Sequence, residues 1–252
     1  MTQQENLFKY ILRLGDSAVI HGHRLSEWCS NGPILEEDLA LTNIALDYIG
    51  RAQALLKYAS EIEAKDRTAD DLVYKRDERQ FYNLLITELP KGNFAFTMAK
   101  QLILSCYEFY LYTALSQSKD ETLAAIAVKS LKEIRYHLSH AKEWSFRLGK
   151  GTDLSNEKLQ EAYQELWPFT DELFEMNESD KELLDQGISI DLQSLKNQWI
   201  ELMSSILKES SISLPTSTYM QTGSGQGIHT EYFGHLLTEM QFLQRAYPDA
   251  TW

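Results

Sequence analysis

The chain has 252 residues, 43% of them hydrophobic, with five prolines and twelve glycines, a composition that supports a sizeable core and long helices. Its formal net charge of −13 argues against nucleic-acid binding, because phosphates must be met by Lys and Arg; the acidity reads as solubility or as attraction to a basic partner. No run approaches roughly 18 consecutive apolar residues, residues 1–10 do not resemble a signal peptide, and Cys29 and Cys106 form no metal or redox motif, so a cytoplasmic protein with no membrane span is expected.

Hydrophobic periodicity predicts six to eight helices and no strand. The first covers residues 6–28, with Leu7, Ile11, Leu14, Ala18, His21, Leu25 and Trp28 on one stripe, and Asn31, Gly32 and Pro33 ending it. The second covers 36–64, and its inward stripe is read as Leu39, Asn43, Leu46, Asp47, Gly50 and Ala54. A third covers 69–88 and closes at 89–93. A fourth covers 94–117. A fifth covers 121–148, with Ile126, Ser130, Glu133, His137 and Trp144 on one face. Further helices are expected at 156–175, with Asp153 or Ser155 as its cap, at 191–209 and at 229–246. The acidic stretch 177–190 reads as a loop with one helical turn, and 211–227, rich in Ser, Thr and Gly, as a loop. Long amphipathic helices with short connections favour antiparallel neighbours. The expectation is therefore an all-α, ferritin-like bundle of long antiparallel helices with additional C-terminal helices, forming one domain over 1–252.

Inward carboxylates on four long helices suggest a diiron architecture. That site takes a Glu from each of two helices and a Glu-x-x-His from each of the other two, since residues three apart share a helix face. The six histidines are His21, His23, His137, His140, His229 and His235, and the residues three before them are Ala18, Ile20, Ile134, His137, Gln226 and Tyr232. None is acidic. Asp47 with Gly50 and Glu133 with Tyr136 stand where the two motifs are expected, while Asp16 and Ser105, or Glu108 one turn later, stand at the other two positions. These are read as vestigial diiron positions, and no cofactor is expected on this chain. An alternative gathers one metal on Glu133, His137 and His140 to make an independent oxidase; ordinary helical Glu–His pairing accounts for the same spacing. The stretch 222–227 is glycine-rich but lacks the Lys of a phosphate loop and follows no strand.

Several runs taken together resemble the PaaC family, the structural subunits of phenylacetyl-CoA 1,2-epoxidases. They include Leu12-Arg13-Leu14-Gly15-Asp16, His23-Arg24-Leu25-Ser26-Glu27-Trp28-Cys29, Ile44-Ala45-Leu46-Asp47, Arg76-Asp77-Glu78-Arg79-Gln80-Phe81 and Lys132-Glu133-Ile134-Arg135-Tyr136-His137. The resemblance continues through Leu148-Gly149-Lys150-Gly151-Thr152-Asp153 and from His229-Thr230-Glu231 to Leu243-Gln244-Arg245, and so spans nearly the whole chain. It implies a non-catalytic subunit of the oxygenase of aerobic phenylacetate catabolism. The implied partners are a catalytic diiron subunit, PaaA, a reductase, PaaE, that supplies electrons from NADPH, and the other epoxidase subunits. Phenylacetyl-CoA would be met through the complex, and Gln80, Phe81, Tyr82 and Asn83 are the candidate residues for contact with the CoA ester.

Overall fold

The computed structural model describes residues 2–248 and 250. Among these there is no strand, and ten α-helices follow in order: α1 (Gln3–Ser26), α2 (Leu35–Glu63), α3 (Ala69–Tyr74), α4 (Leu85–Glu88), α5 (Phe94–Leu115), α6 (Glu121–Lys150), α7 (Asp153–Leu166), α8 (Glu178–Asp185), α9 (Leu192–Glu209) and α10 (Glu231–Ala246). No described helix is long and apolar enough to cross a membrane.

The long helices start where side chains satisfy the free N–H groups of a first turn. Thr2 and Glu5 form a reciprocal capping box on α1. Asn93 Oδ1 accepts from the Phe96 N–H at 2.9 Å on α5, and Asp120 Oδ1 accepts from the Leu123 N–H at 2.8 Å on α6. Helix α2 lacks a side-chain cap but carries Glu36, Glu37 and Asp38 in its first turn, where the helix dipole favours negative charge. At about 1.5 Å per residue, α2 and α6 each run roughly 45 Å.

Helix α1 packs along α2 and α5 along α6, and α2 meets α6. Around this ferritin-like bundle, α7 and α9 cover α5 and α6, α8 rests on α1, and α10 rests on α3 and α4. Buried apolar side chains from all ten helices join one continuous core. Helix α6 passes the end of α9 so closely that a Cβ on Gly149 would lie 1.9 Å from the Ser210 carbonyl oxygen, so only glycine fits that crossing.

The structure corrects four sequence expectations. The helix expected over 69–88 is broken: α3 ends at Tyr74, a 3₁₀ turn spans Glu78–Gln80, and only Leu85–Glu88 is helical again. Side chains from elsewhere take the backbone groups that a helix would have used. Asp16 accepts the Tyr82 N–H at 3.0 Å, Ser17 Oγ the Leu84 N–H at 3.1 Å, and Glu172 the Leu85 N–H at 2.8 Å. The helix expected over 156–175 ends at Leu166, where Trp167-Pro168 begins a 3₁₀ turn, since proline cannot continue the helical hydrogen bonds. Its cap is Thr152, with Ser155 as the reciprocal partner, rather than Asp153. Within the acidic stretch 177–190, α8 makes about two turns and is capped by Asn177. Finally, the inward stripe of α2 lies one residue away from the one expected. Leu41, Ile44, Ala45, Tyr48, Arg51, Ala52 and Leu55 are buried, whereas Leu39, Asn43, Leu46 and Gly50 are exposed.

Candidate functional site

A polar layer crosses the middle of the bundle, built by all four long helices. Successive turns of α5 contribute Gln101, Ser105 and Glu108, spaced four and three apart so that they share a face. Helix α1 contributes His21, α2 contributes Tyr48 and Arg51, and α6 contributes His137. His21 Nε2 and Gln101 Oε1 are 2.8 Å apart. Gln101 Nε2 donates to Ser105 Oγ at 3.0 Å and to the Tyr48 hydroxyl at 3.3 Å. The Tyr48 hydroxyl donates to Glu108 at 2.9 Å, and Arg51 Nη1 lies 3.0 Å from the same carboxylate oxygen. The His137 ring stacks on Tyr48 at 5.2 Å and its Nε2 sits 3.0 Å from Asp47.

The electrostatics close within this layer. The Arg51 side chain is fully buried between the rings of Tyr48 and Tyr112, at 4.4 and 5.0 Å from their centroids. Burial alone would lower its proton affinity, but the Glu108 carboxylate and the flanking tyrosines outweigh that and hold the guanidinium above its ordinary range. Burial pushes the Tyr48 phenol well up and the His21 imidazole well down, so both remain neutral at pH 7. A charge taken out of water needs a counter-charge at close range, and here a guanidinium supplies it to the interior carboxylate.

Of the expected vestigial positions, the structure brings only the α5 pair, Ser105 and Glu108, into this layer. Asp16 is fully buried but points toward the 69–88 segment, where Arg76 grips both carboxylate oxygens. Burial pushes its carboxyl up, against the pull of Arg76 and the Tyr82 N–H. Asp47 is partly exposed at the α2–α6 seam. Glu133 is half-buried, and its carboxyl is raised by burial and by the Asp47 charge. Gly50 is open to space and Tyr136 is half-exposed. The alternative metal trio is likewise not assembled: His137 turns to Asp47, and His140 Nε2 turns to Glu37 at 2.8 Å. Among the described residues, no group of three or more His, Cys, Asp or Glu side chains converges as a metal set would. Tyr48, Arg51 and Gln101 escape the sequence reading because periodicity sets the α2 stripe one residue off and an uncharged amide does not stand out on a buried face. The fully buried α5 face holds the remaining signal.

The four candidate CoA-contact residues part company. Phe81 and Asn83 are fully buried; the Phe81 ring packs edge-on to Phe233, and Asn83 Nδ2 donates to Glu88 at 2.9 Å. Gln80 is exposed and uses its side-chain oxygen to cap the Asp77 N–H. Tyr82 keeps a partly accessible side chain. Beneath them lies a buried clasp. His229 Nδ1 is 2.6 Å from Glu88 Oε1 and its Nε2 is 3.1 Å from the Phe81 carbonyl oxygen, while Thr230 gives both its N–H and its hydroxyl to Glu88 Oε2 at 2.7 Å. This turn makes α10 start at Glu231 rather than at residue 229 and fastens it to α4.

Over residues 1–252 the chain matches the family described as Phenylacetic acid catabolic protein. It is also similar to the C subunit of the 1,2-phenylacetyl-CoA epoxidase of Escherichia coli (strain K12), with 45% identity over 246 residues, covering 98% of this chain and 99% of that protein.

Proposed function

Because this chain belongs to the phenylacetic acid catabolic protein family, we propose that it is the structural, non-catalytic subunit of a phenylacetyl-CoA 1,2-epoxidase complex. In this reading it pairs with the diiron subunit PaaA and supports it, while the reductase PaaE brings electrons from NADPH. The observation that carries the proposal is the closed interior. Where a diiron bundle would offer converging carboxylates and imidazoles, the polar layer described above holds Glu108, paired with Arg51 and hydrogen-bonded by Tyr48, while the buried Asp16 is turned away to Arg76. Binding a cation there would require expelling a buried guanidinium.

A second feature supports a subunit role. The flank of α2 turned away from the core carries Leu35, Leu39 and Leu46, which are 71%, 56% and 60% exposed. On α6, joined to α2 through the Asp47–His137 and Glu37–His140 contacts, Val128 and Tyr136 are also exposed. Apolar side chains arranged at helical spacing on solvated faces suit a partner helix pair. An obligate pairing of this kind buries more than about 2,000 Å².

Co-expression with the diiron subunit tests the reading. The expected result is a stable complex, substoichiometric iron on the isolated chain, and epoxidation only when the diiron subunit and reductase are both present. Two irons per isolated chain, or oxidation of substrate by this chain and the reductase alone, would overturn it.

A further inference from the structure

Helices α1 and α5 make few close approaches to each other, and the gap between them holds a cavity of about 260 Å³. Its lining reaches Glu108 of the polar layer, and Leu14, Leu104 and Leu111 supply apolar wall. Its rim is exposed and has two sides. Glu175 and Asn177 form one, and Thr222, Gly225 and Gln226 form the other. The Thr222 hydroxyl donates to Glu175 at 2.6 Å, a bond that ties the two sides together.

The second side belongs to a strap, residues 211–230, that joins α9 to α10 and contains no α-helix. The strap is held at points rather than packed along its length. Gln160 grips the N–H and the carbonyl of Ser213 at 2.8 and 3.0 Å. The Gln221 N–H donates to the Pro168 carbonyl at 2.7 Å, the Ser224 N–H donates to Glu172 at 3.0 Å, and Thr230 is fastened to Glu88. Over residues 213–223 only Pro215 is buried, and Tyr219 is 67% exposed. Among the described residues, no hydrogen bond joins 214–220 to the rest of the chain. A segment that buries so little apolar surface opens at a cost well below that of global unfolding.

Both ends of the strap have the geometry of hinges, which are a few residues at element ends that absorb a change of backbone angle. Ser211, just after α9, sits at a left-handed φ of 59°, a strained setting for a residue with a Cβ. Gly227, before α10, has a φ of 68°, and a Cβ there would meet the Arg79 carbonyl oxygen at 2.4 Å.

We propose that residues 213–228 form a hinged lid that swings away from Glu175 and opens the α1–α5 cavity to small solutes while the bundle stays folded. The lid is read on this chain alone, so its failure leaves the pairing proposed above untouched.

Thiol labelling of the full chain reads the opening. Leu104→Cys in a Cys29→Ser background puts a thiol on the cavity wall. Cys106, two positions along, is fully buried and lies outside the lining, so in the same molecule it reports wider unfolding. With N-ethylmaleimide as the probe and mass spectrometry to locate the adduct, the introduced thiol should react at least about 100-fold faster than Cys106. Thr222→Val removes the tie to Glu175, and Gly227→Ala pushes the strap off Arg79. Each should speed the introduced thiol about tenfold and leave Cys106 unchanged. Amide hydrogen exchange on the unmodified chain needs no variant, and the Gln221 and Ser224 amides should exchange at least about 100-fold faster than those in the middle of α5. An introduced thiol no faster than Cys106, a rate that neither strap variant changes, or Gln221 and Ser224 amides as protected as α5 would each overturn the proposal.

Discussion

Two buried cations show how single residues set the behaviour of the interior. Arg51 and Glu108 form a pair whose members are worth little alone. Removing one partner leaves an unpaired buried charge, which costs about 3–5 kcal/mol, whereas replacing both by apolar groups is often neutral. Arg51→Met should therefore lower urea stability by about 3–5 kcal/mol, and the Arg51→Met/Glu108→Leu double variant should recover most of that. A loss in the double variant equal to the sum of the Arg51→Met and Glu108→Leu losses would mean that the pair carries no coupling. Lys100 is different: it is 1% exposed and its ammonium hydrogen-bonds the Leu89 carbonyl at 2.7 Å, with no carboxylate at ion-pair distance among the described residues. Burial, aided by the nearby Arg24 charge, pulls its ammonium down to about 7. The unfolded chain therefore binds more protons than the folded one between pH 7 and the ordinary lysine value, and stability rises with pH across that window. From pH 7 to 9 this contributes about 2 kcal/mol; the slope fades as pH falls through 7, and below about pH 6 the penalty is fully present and constant. Denaturant midpoints at pH 7, 8 and 9 should climb in the parent chain, and the slope should largely vanish in Lys100→Met.

At the scale of elements, the segment between α3 and α4 departs most from periodicity, and its cause is legible only once the fold is known. Residues 69–88 carry helix-compatible composition, but Asp16, Ser17 and Glu172 take up the N–H groups of Tyr82, Leu84 and Leu85. Three long-range acceptors outweigh local propensity, which is worth at most about 1 kcal/mol per ordinary residue. Removing one should loosen the segment without melting the bundle. Asp16→Asn leaves Arg76 without its buried counter-charge, and amide exchange should rise across residues 76–88 while α5 and α6 stay protected; unchanged protection in 76–88 would refute this account. The clasp on α10 allows the same argument. Glu88→Gln leaves one amide oxygen where two carboxylate oxygens serve His229 and Thr230, so one of these partners loses its acceptor and α10 should exchange faster than α9, with a loss of about 2–4 kcal/mol in local stability. By contrast, the boundaries of α1, α2, α5, α6 and α9 are readable to within a few residues, because caps such as Asn93 and Asp120 and breakers such as Asn31-Gly32-Pro33 act locally.

For the whole molecule, the sequence discloses a diiron-shaped bundle lacking Glu-x-x-His, yet misplaces the face of α2 that looks inward. The reason is physical. Leu39, Leu46 and the buried set Leu41, Ile44, Ala45, Tyr48 and Leu55 are all apolar or aromatic, so α2 has two hydrophobic faces and periodicity alone cannot rank them. Only the packing of α1 and α6 decides that Tyr48 and Arg51 enter the core. The second apolar face is then left in solvent, where a lone chain gains nothing from Leu35, Leu39 and Leu46. This asymmetry separates stability from assembly. The Leu39→Lys/Leu46→Lys double variant places two charges on a solvated flank, so the melting temperature of the isolated chain should move by no more than about 2 °C. If this flank seats the diiron subunit, the same two charges become buried on pairing and weaken the complex at least about 100-fold. Equilibrium sedimentation of the mixed subunits, alongside melts of each alone, reads both quantities. A complex of unchanged affinity would move the interface to another face of the bundle, and a large fall in melting temperature would mean that the flank serves the fold itself.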